Sequence, residues 1–376
     1  MVTALDRSDD PNRSRTAAGE PTTLDVPSRY LPQADTGTAP LPVTVRPLFL
    51  RDVPRLHALD PLYPLNQPET LVVGYGSTRS GVRAVTPWGR NRRPAFVADA
   101  GDRLVGFAEF RSLAFDGRWT LTALGASVGV YDADPVWEAL LPYAVRQAGL
   151  NGVKRLYGRI PWEARVSPAF RRLGWHPYAT ETVFLAHDLA SVARGELRPR
   201  RQDRTDTWAV HQLYAACVPR EVQDAEALTS HRWDVPRPRR GGGDAVSGWL
   251  FEDDHQLVGY ARVLSAGARH AIELLILPER RTLAGAVIDG VLAALGARGV
   301  RRVYCAVRGY QTELSSPLEE RGFLAGFEQE LFVRYTTATV RRAVAESVPF
   351  ALDVRDSVPG RVPSFFHPTG EDGSAR

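Results

Sequence analysis

Two adjacent arginines stand just before a predicted helix, in a pattern that suits the binding of an anion. Arg280 and Arg281 follow the apolar run 271–277 and precede apolar residues at helical spacing. The first amides of a helix have no partner inside the helix, and the helix dipole favours negative charge at that end. The sequence therefore predicts an anion site at this turn, suited to a group such as a pyrophosphate.

A strand, a helix and a second strand must position this turn. Residues 271–277 are rich in the apolar types typical of a buried strand, and the apolar, β-branched run 302–307 predicts another. Between them, one helix face carries Leu283, Val287, Ile288, Val291, Leu292 and Leu295. Such strand–helix–strand units are right-handed crossovers that cover a sheet with a helix.

The chain contains this unit twice. Three short segments of the first half recur in the same order in the second: 104–106 as 257–259, 152–157 as 299–304, and 172–175 as 320–323. The spacing is far too long for a solenoid repeat. We therefore expect two whole domains of similar fold.

Composition divides the chain further. We expect a disordered arm over 1–40, a first domain over 41–190, a linker over 191–204, a second domain over 205–338, and an extended or disordered tail over 339–376. The arm is polar with few hydrophobic residues, the linker carries several arginines, and the tail is rich in proline.

Composition also excludes several classes of protein. With 44% hydrophobic and 24% charged residues, the chain is typical of a globular protein, and no apolar run approaches the roughly 20 residues that span a bilayer. Cys217 and Cys305 are too few for a disulfide framework or a cysteine-based metal site, so we expect a cytoplasmic protein. The histidines lack metal-ligand spacing, so we expect no metal. The net charge of +4 comes with interspersed acidic residues, so we expect no nucleic-acid role and no membrane role.

Each half resembles the GNAT (Gcn5-related N-acetyltransferase) fold in three places. These are the hairpin with Val-Gly near the start of its second strand (105–106 and 258–259), the strand–turn–helix–strand unit, and a short helix that ends in Gly-Trp or Gly-Phe (174–175 and 322–323). The resemblance implies an α/β (α+β) protein with two GNAT-like domains in tandem. Each domain would have a mixed, mostly antiparallel central sheet flanked by helices.

The resemblance also implies a reaction, the transfer of an acyl group, usually acetyl, from acyl-CoA to a small-molecule or peptide amine. Acetyl-CoA would be the co-substrate. It would slide into a gap between the separating strands 272–277 and 302–307. Glu273 falls where the family often has its general base, and Tyr304 is our candidate acid. The cofactor-binding residues implied are Leu275 and Leu277 for the pantetheine arm and, for the pyrophosphate, Arg280, Arg281, Thr282, Leu283, Ala284 and Gly285.

Several departures from the family pattern leave alternatives open. The turn 278–286 lacks the first family glycine, and the corresponding stretch 127–134 has two aspartates and no arginine, so we expect the first half to be the more degenerate. Leu318 replaces the family's acidic tyrosine, Tyr310 is an alternative acid to Tyr304, and Glu109 is an alternative base. A non-catalytic GNAT-fold protein that binds a ligand or a partner is the competing interpretation. The sequence leaves homo-oligomer formation open.

Overall fold

The computed structural model describes most of the chain between residues 42 and 336. The described residues are 42–59, 65, 68–74, 77–86, 92–113, 117–127, 133–162, 164, 166–187, 197–236, 245–296 and 302–336. Within this range the chain up to Thr336 forms one compact unit. The predicted arm 1–40, the tail 339–376 and residues 191–196 of the linker 191–204 lie outside the described residues.

The first half contributes six strands and four helices. The strands are β1 (Val43–Pro47), β2 (Ala95–Ala100), β3 (Arg103–Leu113), β4 (Arg118–Ala126), β5 (Arg155–Pro161) and β6 (His176–His187). The helices are α1 (Pro68–Val73), α2 (Ser77–Val85), α3 (Ala133–Leu150) and α4 (Ser167–Arg172). A 3-10 helix, Leu50–Leu59, follows β1 and has Pro54 inside it. Proline lacks the amide that an α-helical turn needs at that position.

The second half repeats this composition. Its strands are β7 (Arg200–Arg201), β8 (Ala245–Asp253), β9 (Gln256–Ala266), β10 (Arg269–Ile276), β11 (Arg302–Arg308) and β12 (Leu324–Tyr335). Its α-helices are α5 (Thr207–Cys217), α6 (Arg220–Glu226), α7 (Ala284–Gly296) and α8 (Ser315–Glu319). Three short 3-10 helices complete it: Ser230–Trp233, Pro278–Leu283 and Thr312–Leu314.

All twelve of these strands join in one sheet, in the order β1-β2-β3-β4-β5-β12-β6-β11-β10-β9-β8-β7. Neighbouring strands are antiparallel except for two parallel pairs, β4 with β5 and β10 with β11. A helix connects each parallel pair, α3 in the first half and α7 in the second. The predicted fold class is confirmed: the sheet is mixed, mostly antiparallel and flanked by helices.

The two halves exchange their last strands. β12, from the end of the second half, lies between β5 and β6, and β6, from the end of the first half, lies between β12 and β11. Each half therefore completes its sheet with a strand of the other. The boundaries 41–190 and 205–338 remain a prediction about sequence repeats, because the sheet itself does not divide there.

The Val-Gly pair of each hairpin has a packing reason. A Cβ atom on Gly106 would lie 2.4 Å from Val136 of α3, and one on Gly259 would lie 3.0 Å from Val287 of α7. A side chain at Gly106 would displace Val136 and with it α3, and one at Gly259 would force Val287 to shift. The two matching glycines thus allow the buried faces of α3 and α7 to pack on the sheet, each in its own apolar cluster.

The strand exchange predicts that the halves stay together after the chain between them is cut. A specific protease site inserted within 188–196 allows the folded protein to be cleaved. We expect the two fragments to co-elute in gel filtration and to unfold in one transition, because β6 and β12 are each hydrogen-bonded to strands of the other half.

The control is the same cleaved sample in strong denaturant, where the fragments should separate. Elution as two folded fragments under native conditions would contradict the exchanged topology.

Candidate functional site

The two parallel strands of the second half separate partway along their length. β10 and β11 are paired from Arg269 opposite Arg302 to Ile272 opposite Cys305. Beyond that point β10 continues beside β9, and β11 continues beside β6. The predicted gap between these strands is confirmed. β4 and β5 behave alike, since their pairing ends at Thr120 opposite Tyr157.

A cavity of about 60 Å³ opens in the gap of the second half. It lies on the sheet face covered by α1, α5 and α6. Its wall is formed by Pro68, Glu69, Arg159, Glu181, Tyr214, Val218, Glu226, Arg262, Leu264, residues 271–275, Ala306, Arg308, Tyr310 and Gln311. This volume holds a few water molecules or one small chemical group, which is far less than a whole coenzyme.

Two backbone carbonyls of β10 that face the gap already accept hydrogen bonds from side chains. The amide of Gln311 donates to the carbonyl of Leu274 at 3.1 Å, and the thiol of Cys217 donates to the carbonyl of Ile276 at 3.1 Å. Burial raises the pKa of Cys217 to about 12, so the thiol keeps its proton at neutral pH. The chain thus satisfies in the gap two acceptors that a bound ligand could use.

The two leucines predicted to contact pantetheine present their backbone groups to the other side. The amide of Leu277 donates to the carbonyl of Val258 at 2.8 Å, and Leu275 lies opposite Tyr260 of β9. Because backbone groups alternate in direction along a strand, those of Leu275 and Leu277 point to β9 rather than into the gap.

The arginines of the predicted anion site are both paired with carboxylates. Arg280 lies 3.4 Å from Asp253, and Arg281 lies 3.1 Å from Glu313. The side chains of Arg280 and Arg281 are 39% and 52% exposed, respectively. Exposed ion pairs of this kind contribute about 0–1 kcal/mol, so a stronger anion can displace them.

The remaining residues of this turn lie in or next to the 3-10 helix Pro278–Leu283, which leads directly into α7. Thr282 is exposed, and Leu283 packs against the apolar cluster under α7. The amide of Ala284 donates to the carbonyl of Arg281, so it is not free for a ligand. Gly285 lies beneath the guanidinium of Arg321, which a Cβ atom there would approach to 2.7 Å.

Glu273 lies on the wall of the cavity, next to two arginines. Its carboxylate accepts a hydrogen bond from Arg232 at 3.1 Å, and Arg262 is its direct neighbour on β9. Partial burial alone would raise the pKa of Glu273, but attraction to Arg232 and Arg262 outweighs it and lowers the pKa. Glu273 is therefore an anion at neutral pH, able to hold a cation.

The two candidate tyrosines occupy different environments. Tyr304 is 6% exposed and packs in a small apolar cluster with Val72, Val183 and Ala271. Tyr310 lies on the wall of the cavity, where burial raises its pKa. By position, Tyr310 faces the gap, whereas Tyr304 is packed beside the point where β10 and β11 separate.

A row of polar side chains crosses the sheet beside the cavity. Gln329, Glu181 and Arg308 are direct register partners on the adjacent strands β12, β6 and β11. Gln329 donates to Glu181, and Arg308 lies 3.2 Å from Glu181 and 3.2 Å from Glu226. Arg159 of β5 adds a further contact to Glu181 at 3.5 Å.

A hydrogen bond from a tyrosine completes this cluster, and attraction between its charges stabilises it. Tyr214 of α5 donates to Glu226 at 2.8 Å. Burial alone would lower the pKa of Arg308, but attraction to Glu181 and Glu226 outweighs it and raises the pKa well above its usual value. The sequence reasoning missed these residues. Nothing in the local sequence pattern distinguishes them from other polar residues, because they come from several strands and helices.

The first half offers a different arrangement. Glu109 of β3, the alternative base, is fully buried and pairs with Arg93 at 3.0 Å. The turn expected over 127–134, which carries the two aspartates, lies mostly outside the described residues. In the described part of the chain, no three histidine, cysteine or acidic side chains are grouped so as to hold a metal ion. None of the described helices is long and apolar enough to cross a membrane.

Replacement of Arg308 tests how much the cluster contributes to the free energy of unfolding. Arg308→Met would leave Glu181 and Glu226 buried without their shared cation, so we expect a loss of about 3–5 kcal/mol in the free energy of unfolding. Urea denaturation measures this change. The control is Arg172→Met, which removes exposed ion pairs to Asp134 and Glu138 and should cost less than about 1 kcal/mol.

Adding Glu226→Gln to the Arg308→Met variant should recover part of the loss, because one unpaired charge is then removed. Equal losses in the free energy of unfolding for Arg308→Met and Arg172→Met would show that the buried cluster contributes no more to stability than an exposed ion pair.

Comparisons with known proteins bear on the fold. No family model matches the sequence, and no curated protein matches it. Among solved structures, a GCN5-related N-acetyltransferase from Sphaerobacter thermophilus has a TM-score of 0.52 at 12% identity, over 80% of this chain and 98% of that one. A tandem GNAT protein from the clavulanic acid biosynthesis pathway has a TM-score of 0.45 at 16% identity, over 79% of this chain and 99% of that one. The similarity to the Sphaerobacter thermophilus structure, together with the two separating strand pairs and the matching crossovers, shows that this chain has a GNAT fold.

Proposed function

We propose that the protein is an N-acyltransferase of the GNAT type, which transfers an acyl group, most simply acetyl, from acyl-CoA to an amine. The observation that carries the proposal is the gap between β10 and β11, with the carboxylate of Glu273 on the wall of its cavity. Both cysteines are free thiols, which suits a cytoplasmic protein.

The residues around the gap fit such a co-substrate, provided that a few side chains move. The carbonyls of Leu274 and Ile276 would accept hydrogen bonds from the pantetheine arm once Gln311 and Cys217 release them. Arg280 and Arg281 would exchange their exposed carboxylate partners for the pyrophosphate. A pyrophosphate carries more charge than one carboxylate, so this exchange is favourable.

The thioester supplies an activated acyl group, and the residues of the chain do the rest. Glu273 binds the ammonium form of the acceptor and takes its proton, directly or through a water molecule, so that the nitrogen lone pair is free to attack. Its lowered pKa makes Glu273 a better partner for the cation than a proton acceptor. Arg232 must therefore loosen its 3.1 Å contact for proton transfer to proceed.

Two tyrosines are candidates for the proton donor to the leaving thiolate. Tyr310 faces the cavity, and Tyr304 is the candidate that the sequence predicts. Burial raises the pKa of Tyr310, which weakens it as an acid. We nevertheless favour Tyr310 for this role, because a general acid must reach the reacting atoms before its pKa matters.

A non-catalytic GNAT-fold protein is the second candidate, and it has its own supporting observation. The ion pairs of Arg280 and Arg281, and the hydrogen bonds to Leu274 and Ile276, occupy the groups that a coenzyme would need. If these contacts persist, the gap remains closed to a thioester. The cavity would then bind a small ligand without reaction.

Coenzyme binding can be tested through the two cysteines. Cys217→Ala frees the carbonyl of Ile276 in the gap, so we expect several-fold tighter binding of acetyl-CoA, which corresponds to about one hydrogen bond. Isothermal titration and thermal-shift titration measure this. The matched control is Cys305→Ala, which removes a thiol buried in the core under α7 and should leave the affinity unchanged.

Absence of any acetyl-CoA binding by the wild type and by Cys217→Ala, at millimolar ligand, would favour the non-catalytic protein.

The base can be tested by comparing two carboxylates. We expect Glu273→Gln to lower kcat for acetylation of an amine by about 100-fold or more, with little change in the Kd for acetyl-CoA. Release of free CoA thiol over a panel of amines measures the rate. Glu109→Gln in the first half should leave kcat unchanged. If Glu109→Gln abolishes turnover and Glu273→Gln does not, the active half is the first.

A further inference from the structure

One cation on the cavity wall has no carboxylate partner. Arg262 of β9 is half-buried, and its guanidinium donates to the backbone carbonyl of Arg232. Its register partner Glu273 is paired with Arg232 instead. Among the described residues, no carboxylate oxygen lies within 4 Å of the Arg262 guanidinium. Burial and the neighbouring Arg232 both lower the pKa of Arg262, so its charge is held at a cost.

The same cavity wall also contains a hydrogen-bond donor without a partner. Arg308 is only 13% exposed, and its Nη1 atom is buried without a hydrogen-bond partner among the described residues. Its Nε and Nη2 atoms already face Glu181 and Glu226. A buried donor without a partner is costly, and it is a place where a ligand acceptor gains free energy. Arg262 and Arg308 stand on either side of the gap, on β9 and β11.

The charges around the cavity balance. The cavity wall carries four carboxylates, on Glu69, Glu181, Glu226 and Glu273, and three guanidinium groups, on Arg159, Arg262 and Arg308. Arg232, which pairs with Glu273 from outside the wall, supplies the fourth cation. The carboxylate of Glu69 is held only loosely, by Arg159 at 3.9 Å. A ligand with one charge only would unbalance a partly buried, neutral cluster, whereas a zwitterion would keep it neutral.

The volume of the cavity further restricts which ligands fit. About 60 Å³ accommodates a carboxylate with one or two attached carbons, and not a large side chain or a polymer. The planar fork of an arginine matches a carboxylate with two parallel hydrogen bonds.

We propose that the cavity is a recognition site for a small zwitterionic amine, such as glycine, alanine or β-alanine. Arg262 and the free Nη1 of Arg308 bind its carboxylate, and Glu69 and Glu273 attract its ammonium group. The inference that this zwitterion is the acceptor of acyl transfer rests on the proposed function. The inference that the cavity binds the zwitterion does not depend on that function.

The test compares probes that differ by one charged group. Isothermal titration without acetyl-CoA uses glycine, L-alanine and β-alanine against ethylamine, which lacks the carboxylate, and propionate, which lacks the amine. We expect the zwitterions to bind at least tenfold tighter than either single-charge probe. Arg262→Gln should lower zwitterion affinity at least tenfold, and Arg262→Lys less, because lysine keeps the charge but not the fork. Arg172→Gln, an exposed arginine on α4, is the control and should change nothing.

The outcomes separate this inference from the proposed function. Zwitterion binding without any response to acetyl-CoA supports the site and overturns the acyltransferase. Turnover of ethylamine as fast as of alanine supports the acyltransferase and overturns the site. Equal binding of all probes by the wild type overturns the site even if the Arg262 variants fail to fold.

Discussion

The antiparallel pairing of β6 with β12 is the interaction on which the rest of the molecule depends. The pair runs from Leu324 opposite Leu185 to Val333 opposite His176, with two register shifts. Each of these strands also bonds to a strand of the other half, β12 to β5 and β6 to β11. Opening this one pair would split the sheet and leave β6 and β12 each with one unpaired edge, and buried backbone groups without partners are costly. The exchange therefore makes one cooperative sheet out of two repeated sequences.

The same exchange assembles the polar cluster. Arg159, Gln329, Glu181 and Arg308 come from the four adjacent strands β5, β12, β6 and β11. Removal of charges from water is unfavourable, and only good geometry compensates for it. A hydrogen-bonded sheet supplies such geometry, because the register holds Gln329, Glu181 and Arg308 side by side. Had each half kept its own last strand, these side chains would face different neighbours.

Sequence patterns predicted the elements but not how the halves combine. The crossover over 271–307 follows from local apolar spacing, and packing explains the glycines at 106 and 259. The separation of the strands is implied by the family resemblance. The last strands of the two halves, β6 and β12, would show the same sequence pattern in either topology, since alternation of apolar residues tells which face is buried and not which strand is the neighbour. Glu181 is a single acidic residue within β6. Without knowledge of the exchange, it looks like an exposed charge.

The contacts around the gap differ in how easily they break. A ligand can replace the exposed contacts more easily than the buried ones. The ion pairs of Arg280 and Arg281 are exposed, so water replaces their partners at little cost. The contacts of Arg308 with Glu181 and Glu226 are buried, and losing one partner leaves a charge without compensation. We therefore expect a ligand that enters the gap to rearrange the turn before α7 and to leave the cluster fixed. In the proposed function, the cluster would then select the chemical group that fits the cavity, and the turn would hold an anion beside it.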